Sequence, residues 1–216
     1  MKQHWLQQNK TKKLILYFSG WGMDAAAVEH LERASDDICV VYDYTDLTNL
    51  ETSEFKIYKS IQLLAWSMGV WVASFILQNS DLNITQAIAI NGTPKPVDDV
   101  YGIPESVFSG TLESLTSENL SKFDRRMCGS KAVYQQFNNI QRQNEIETLK
   151  LELQNIYLSV KANPAPKLRW TKAWIGESDM IFPSQNQQQF WGEVGFELKM
   201  PHFPFFEFSK WNDFFI

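Results

Sequence analysis

Only two cysteines, Cys39 and Cys128, and three histidines occur in the 216 residues. Two isolated cysteines give neither a disulfide framework nor the paired ligand spacing of a metal site, so no metal is expected. Cys39, within ICVVY, is expected to pack as a small hydrophobe, and Cys128 to be more exposed. No apolar run reaches the roughly 18–20 residues that span a bilayer. The basic start MKQHWLQQNKTKK is followed only by LILYF, too short for the apolar centre of a secretory signal. The expectation is a cytoplasmic protein without a membrane partner. Positive charge is also in short supply: a net charge of −5 and a pI near 5.3 exclude bulk attraction to nucleic acid. The glycine patterns that cradle phosphates are absent, as are internal repeats and low-complexity segments.

What the chain does hold is apolar and aromatic. Its 44% hydrophobic and 21% charged residues belong to an ordinary globular protein, of a size for one domain or one domain with an insertion. Eight Trp and fifteen Phe suit a well-filled core, or a core plus an apolar substrate pocket. LILYF (14–18), DICVVYDY (37–44), IQLLAW (61–66), TQAIAIN (85–91), TKAWIG (171–176) and FELKM (196–200) read as strands. AAAVEHLERA (25–34), SMGVWVASFILQ (67–78) and PSQNQQQFW (183–191) read as helices, and FPFFEFSKWNDFF near the end as holding a short amphipathic one. Apolar strands alternating with helices predict an α/β fold: a mostly parallel sheet with helices on both faces. Residues 94–166 lack strand signals and contain GTLESLTSENLSKF and NEIETLKLELQNIYLSV. They predict a helical cap insertion in a core formed by residues 1–93 and 167–216.

Within LLAWSMGVW (63–71) a single serine interrupts an apolar stretch. Burying its hydroxyl without a partner would cost roughly 1–3 kcal/mol, so Ser67 is either a satisfied core serine or a nucleophile lifted out on a turn. The pattern A-x-S-x-G, with a strand before it and a helix after, favours the nucleophile elbow. A serine nucleophile needs a base, and of His4, His30 and His202 only His202 stands on a loop after the last strand, between Pro201 and Pro204. The alternative for His202 is a loop residue packed among phenylalanines. The chain order Ser, Asp, His places the orienting carboxylate after a strand, which favours Asp179. Glu177 competes from the same turn, and Asp43, Asp46, Asp98 and Asp99 are further candidates. For the oxyanion, donors are expected from the amides of Met68, next after the serine, and of Trp21, in the SGWG turn. Trp21, Trp66 and Met68 are then expected to line the substrate pocket.

FSGWG (18–22), AWSMGVW (65–71), NGT (91–93), Asp179 followed by M-I-F-P, and Pro201-His202-Phe203 resemble an α/β-hydrolase. More narrowly, they resemble the BioG-type pimeloyl-[acyl-carrier protein] methyl ester esterases of biotin synthesis. YDYTDL (42–47), YGIP (101–104), GTLE (110–113) and RRMCG (125–129) extend that resemblance through nearly the whole chain. The sequence departs from the general hydrolase pattern in Ala65, where glycine is usual, and in Ser19, where a histidine often precedes the turn. The resemblance implies hydrolysis of the methyl ester of a pimeloyl chain carried on acyl-carrier protein, with no metal or organic cofactor. For docking that acidic partner, residues 121–142 offer Lys122, Arg125, Arg126, Lys131 and Arg142 against Asp124 alone. The alternative is a solvated helical face paired with nearby glutamates. Two other functions fit the same residues: a general cytoplasmic carboxylesterase or thioesterase for small acyl compounds, and a non-catalytic hydrolase-like binding protein.

Overall fold

Continuous apolar runs become the centre of a sheet. A computed structural model of the chain describes residues 1–140 and 145–216. Its strands are β1 (Lys2–Gln7), β2 (Lys13–Phe18), β3 (Asp37–Tyr42), β4 (Ser60–Trp66), β5 (Ile84–Ile90), β6 (Lys172–Gly176) and β7 (Gly195–Leu198). They form one sheet in the order β1-β3-β2-β4-β5-β6-β7, in which β1 alone is antiparallel to its neighbour. The inner strands are buried on both faces, which is why they read as unbroken apolar runs.

Alternation along β4 divides its side chains between the two faces. One face is covered by α1 (Met68–Leu77), apolar nearly all round, and by α6 (Ser184–Trp191). The two meet through Trp170, whose indole N–H donates to Ser74 Oγ (3.1 Å) and whose ring lies edge-on to Trp191. The helix α1 passes over the end of β2 so closely that a Cβ at Gly69 would stand 2.4 Å from the Ser19 carbonyl oxygen. On the other face Trp66 meets Phe203 and Phe205, and Tyr17 meets Phe205 and Trp211.

The structure departs from the local sequence reading at several places. The polar start of the chain forms β1, with Lys2 opposite Tyr42 and His4 opposite Val40. An edge strand needs only one apolar side, so its composition carried no strand signal. AAAVEHLERA forms no α-helix, only a 3₁₀ turn at Ala25–Ala27 capped by Asp24, whose carboxylate accepts from the Ala26 N–H (2.9 Å). Beyond it Val28 and Leu31 are buried and Glu32 N donates to Ser209 O (2.9 Å), so tertiary pairing overrides alanine's helix preference. The short amphipathic helix expected near the end is of the 3₁₀ type, at Trp211–Phe215, preceded by a 3₁₀ turn at Phe205–Glu207, with Phe205, Trp211 and Phe214 sunk into the core. Cys128, too, is fully buried, not exposed.

Between β5 and β6 come α2 (Glu105–Glu113), α3 (Ser117–Cys128), α4 (Lys131–Phe137) and α5 (Ile146–Ala162). Thr116 and Ser130 cap α3 and α4 by accepting from main-chain N–H groups, and Gly129 ends α3 in the left-handed conformation. These helices sit at the carboxyl ends of the strands. Phe203 N donates to Met127 O (2.9 Å), and Trp21 Nε1 to Leu149 O (2.8 Å). Among the described residues no helix is long and apolar enough to cross a membrane.

Candidate active site

Ser67 stands between the last residue of β4 and the first of α1, with φ 57° and ψ −125°. That backbone is strained for a non-glycine residue, typically by about 1–3 kcal/mol, and is a common feature of functional turns. It is over-determined by its surroundings. Ser67 N donates to Ile90 O (2.9 Å), α1 leaves immediately, and Gly92 passes beneath, where a Cβ would stand 2.4 Å from Ser67 O.

His202 Nε2 lies 2.9 Å from Ser67 Oγ, and His202 Nδ1 lies 2.8 Å from Asp179 Oδ2 and 3.0 Å from Oδ1. All three residues are buried, Asp179 at 9% exposure being the most open. Asp179 follows β6 on a turn, and its Oδ1 also accepts from Ile181 N (2.9 Å) and Phe182 N (2.8 Å). Gln187, fully buried in α6, donates from Nε2 to Asp179 Oδ2 (3.1 Å) and to Phe182 O (2.7 Å). In the tautomer that carries its proton on Nδ1, directed at the carboxylate, a neutral imidazole would offer its Nε2 lone pair to the serine hydroxyl, an arrangement able to serve as a general base.

The other candidate residues are engaged elsewhere. Asp43 pairs with Lys2 (2.8 Å), Asp46 accepts from Thr48, Asp98 from Val100 N and Tyr101 N, and Asp99 from Glu105 N. Glu177 is exposed. His4 lies in β1, and His30 Nε2 contacts Phe205 O at 3.0 Å.

Trp21 and Met68 both face the cleft that holds Ser67 and His202. Met68 N opens α1, so its N–H has no carbonyl one turn earlier in the helix. The Trp21 turn is anchored through the main chain of Ser19. Ser19 N donates to Val41 O (2.9 Å), and Ser19 O accepts from Tyr44 Oη (2.6 Å). Burial pushes the Tyr44 phenol well above its ordinary range, so it remains a donor.

The cleft, about 570 Å³ including its open mouth, is walled by Trp66, Phe108 and Phe123, with Met180 and Val107 at exposed positions. Arg126 is the one cation among the residues described as lining it. Lys122, Arg125 and Arg126 share α3, and Lys131 opens α4. Lys122 is paired with Glu118 (2.7 Å), and the Arg125 guanidinium lies 5.4 Å from the Tyr134 ring centre. Arg142 lies outside the described residues. Those residues contain no group of three or more His, Cys, Asp or Glu able to hold a metal ion.

Three buried polar residues around the site were not singled out by the sequence. Asn91 donates from Nδ2 to Pro201 O (2.9 Å) and His202 O (3.0 Å), and its Oδ1 accepts from Gly176 N (2.7 Å). It ties the ends of β5 and β6 to the histidine loop, and the NGT stretch was its only signal. Gln187 and Glu152 had none, because each sits in a stretch that reads as an ordinary helix.

A family model described as pimeloyl-ACP methyl esterase BioG matches residues 1–214. The chain is 46% identical over 188 residues, 87% of its length, to a malonyl-[acyl-carrier protein] O-methyltransferase of Bacteroides fragilis, and spans only 38% of that relative. It is 38% identical over 203 residues to an uncharacterized protein of Haemophilus influenzae, with 92% of each covered. The crystal structure of BioG from Haemophilus influenzae superimposes with a TM-score of 0.91 at 36% identity over 100% of both chains. An enol-lactonase from Burkholderia xenovorans gives a TM-score of 0.65 at 13% identity, covering 93% of this chain and 89% of that one.

Proposed function

The chain belongs to the BioG family of pimeloyl-ACP methyl esterases and has the α/β-hydrolase fold, and from that premise we propose that it hydrolyses the methyl ester of a pimeloyl chain carried on acyl-carrier protein. The observation that carries the reading is the series Ser67–His202–Asp179, linked at 2.9 and 2.8 Å, in an apolar cleft.

Ser67 Oγ adds to the ester carbonyl carbon as its proton passes to His202 Nε2. Asp179 holds the imidazole in the right tautomer and stabilises its positive charge. The amides of Trp21 and Met68 donate to the oxyanion, a donor of this kind contributing about 3–4 kcal/mol. As the tetrahedral intermediate collapses, the bond to the methoxy oxygen breaks, His202 returns the proton to that oxygen, and methanol leaves. Water then adds to the acyl-enzyme by the same proton route, freeing the pimeloyl carboxylate and restoring Ser67.

Residues 94–166 act as a cap on the core of residues 1–93 and 167–216, with Trp21, Trp66 and Met68 along the acyl path. The basic residues Lys122, Arg125, Arg126 and Lys131 face the acidic carrier, and a carrier-bound substrate makes the protein cytoplasmic. The name of the Bacteroides relative describes methyl transfer to a carrier-bound acid. Such a transfer makes a methyl ester, the bond class that this site would break.

The test is incubation with carrier protein bearing the pimeloyl methyl ester, followed by mass spectrometry of the carrier. The wild-type protein removes the methyl group and the Ser67→Ala variant does not. An ester left intact by wild type, or removed equally by the variant, would sink the reading. Equal turnover of the free methyl ester would favour a general carboxylesterase.

A further inference from the structure

We infer that Glu152, in α5, is a positioning residue that sets the Trp21 amide for the oxyanion, so that the helical segment between β5 and β6 completes the catalytic machinery as well as walling the cleft. This rests on the roles given to Ser67, Trp21 and Met68 above and deepens them.

A carboxylate is almost never buried without partners, and Glu152 is 1% exposed. Its Oε2 accepts from Gly22 N and its Oε1 from Tyr44 N, both at 3.2 Å. These donors belong to two different loops, one following β2 and the other following β3. Gly22 N is part of the peptide that directly follows Trp21. Leu149 O, one turn earlier in α5, accepts from Trp21 Nε1 at 2.8 Å. On the near side, Tyr44 Oη donates to Ser19 O at 2.6 Å. Glu152 therefore grips the residue after Trp21 directly. It also fixes Tyr44, whose hydroxyl grips the start of the same turn.

Attachment of α5 alone would not call for a carboxylate. Apolar side chains serve buried contacts as well or better, because a buried charge carries a large desolvation penalty. What a carboxylate adds is two acceptors that turn two main-chain N–H groups from different loops towards one point. An oxyanion donor has value only when held close to its working geometry.

The test uses the full chain and two readouts. One is turnover of a chromogenic ester such as p-nitrophenyl butyrate. The other is affinity for an alkyl trifluoromethyl ketone. Ser67 Oγ adds to the ketone carbon, its proton passes to His202, and the ketone oxygen becomes an oxyanion. In Glu152→Gln, kcat should fall on the order of tenfold to a hundredfold with KM within about twofold, and ketone affinity should weaken in proportion to kcat/KM. Tyr44→Phe, which keeps the Glu152 bonds but loses the hydroxyl, should fall in the same sense by about threefold. It serves as the second variant should the first not fold. A folded Glu152→Gln with wild-type kcat and ketone affinity, or an unchanged Tyr44→Phe where the first does not fold, overturns this inference alone. A wild-type protein inert to both compounds overturns the reading of the site and this inference with it.

Discussion

Trp66 donates its indole N–H to the main-chain carbonyl of His202 at 2.7 Å, so the residue before the serine holds the residue that faces the serine. The two rings lie 5.4 Å apart. Trp66→Phe keeps an aromatic ring and removes the donor, leaving the Asn91 amide as a second partner of the same carbonyl. We expect a loss of about 1 kcal/mol in stability and a fall of roughly threefold to tenfold in kcat/KM from a loosened base. Urea unfolding and ester kinetics measure the two separately. Activity within twofold of wild type would show that the indole bond does not control the histidine.

The strained serine makes a prediction of opposite sign for stability and activity. At φ 57° and ψ −125°, glycine relaxes what serine must be held in, a strain of about 1–3 kcal/mol, partly offset by glycine's greater loss of chain entropy. Ser67→Gly should be inactive yet more stable than the equally inactive Ser67→Ala. The comparison is made by denaturant midpoints, and a glycine variant less stable than the alanine variant would argue against stored strain.

At Gly69 the reverse holds. A methyl group there would stand 2.4 Å from Ser19 O and 2.5 Å from Phe18 O, both main-chain atoms that cannot swing away. Gly69→Ala should cost about 2–3 kcal/mol through overpacking. It should also impair turnover, because Ser19 begins the Trp21 turn. A thermal melt within a degree or two of wild type would show that α1 can shift to make room.

How much of this was legible in the sequence depends on the range of each interaction. The strands β2 to β5 announced themselves because burial on both faces leaves no polar alternation. The turn at Ser67 was legible because its requirements are local: strand, small residue, serine, small residue, helix. His202 could be put forward as the base because few histidines competed. By contrast, β1 shows a polar composition because none of its side chains is fully buried, and Ala25–Ala27 stops short of a helix because the C-terminal segment captures Glu32. Asn91, Gln187 and Glu152 were illegible for a related reason. For Asn91 and Glu152 the partners lie some 85 to 130 residues away in the chain, so nothing local marks their polar atoms as buried.

The edge strand predicts a pH dependence. Burial would raise the Asp43 carboxyl, but hydrogen bonds from Lys2 and Thr45 outweigh it and hold the group below its ordinary value. A depressed carboxyl contributes stability above its unfolded pKa of about 3.9 and loses it as pH falls through the lower folded value. Lys2 is largely exposed, so solvent screening limits the pair to about 0.5–1 kcal/mol. Asp43→Asn keeps the left-handed backbone that Asn favours (φ 60°). It should be less stable than wild type by that amount at neutral pH, and the deficit should shrink as pH falls below about 3.9 through the lower folded value. A deficit independent of pH would assign the loss to packing.

Asn91 offers the sharpest separation of hydrogen bonding from shape. It is fully buried at φ 48°, with its amide shared between Pro201 O and His202 O and its oxygen accepting from Gly176 N at 2.7 Å. Asn91→Ala strands the Gly176 donor and places alanine in a left-handed backbone, together about 3–4 kcal/mol. Asn91→Asp retains the acceptor for Gly176 but turns a second oxygen towards two carbonyls. Only the protonated form can donate there, so the folded pKa of the introduced carboxyl is raised. Its stability contribution is then present below the unfolded value and lost as pH rises through the folded one. The variant's deficit should therefore widen between about pH 4 and pH 8, whereas that of Asn91→Ala should stay flat. Urea midpoints across that range distinguish them. Parallel profiles would mean that the amide donor does not hold the histidine loop.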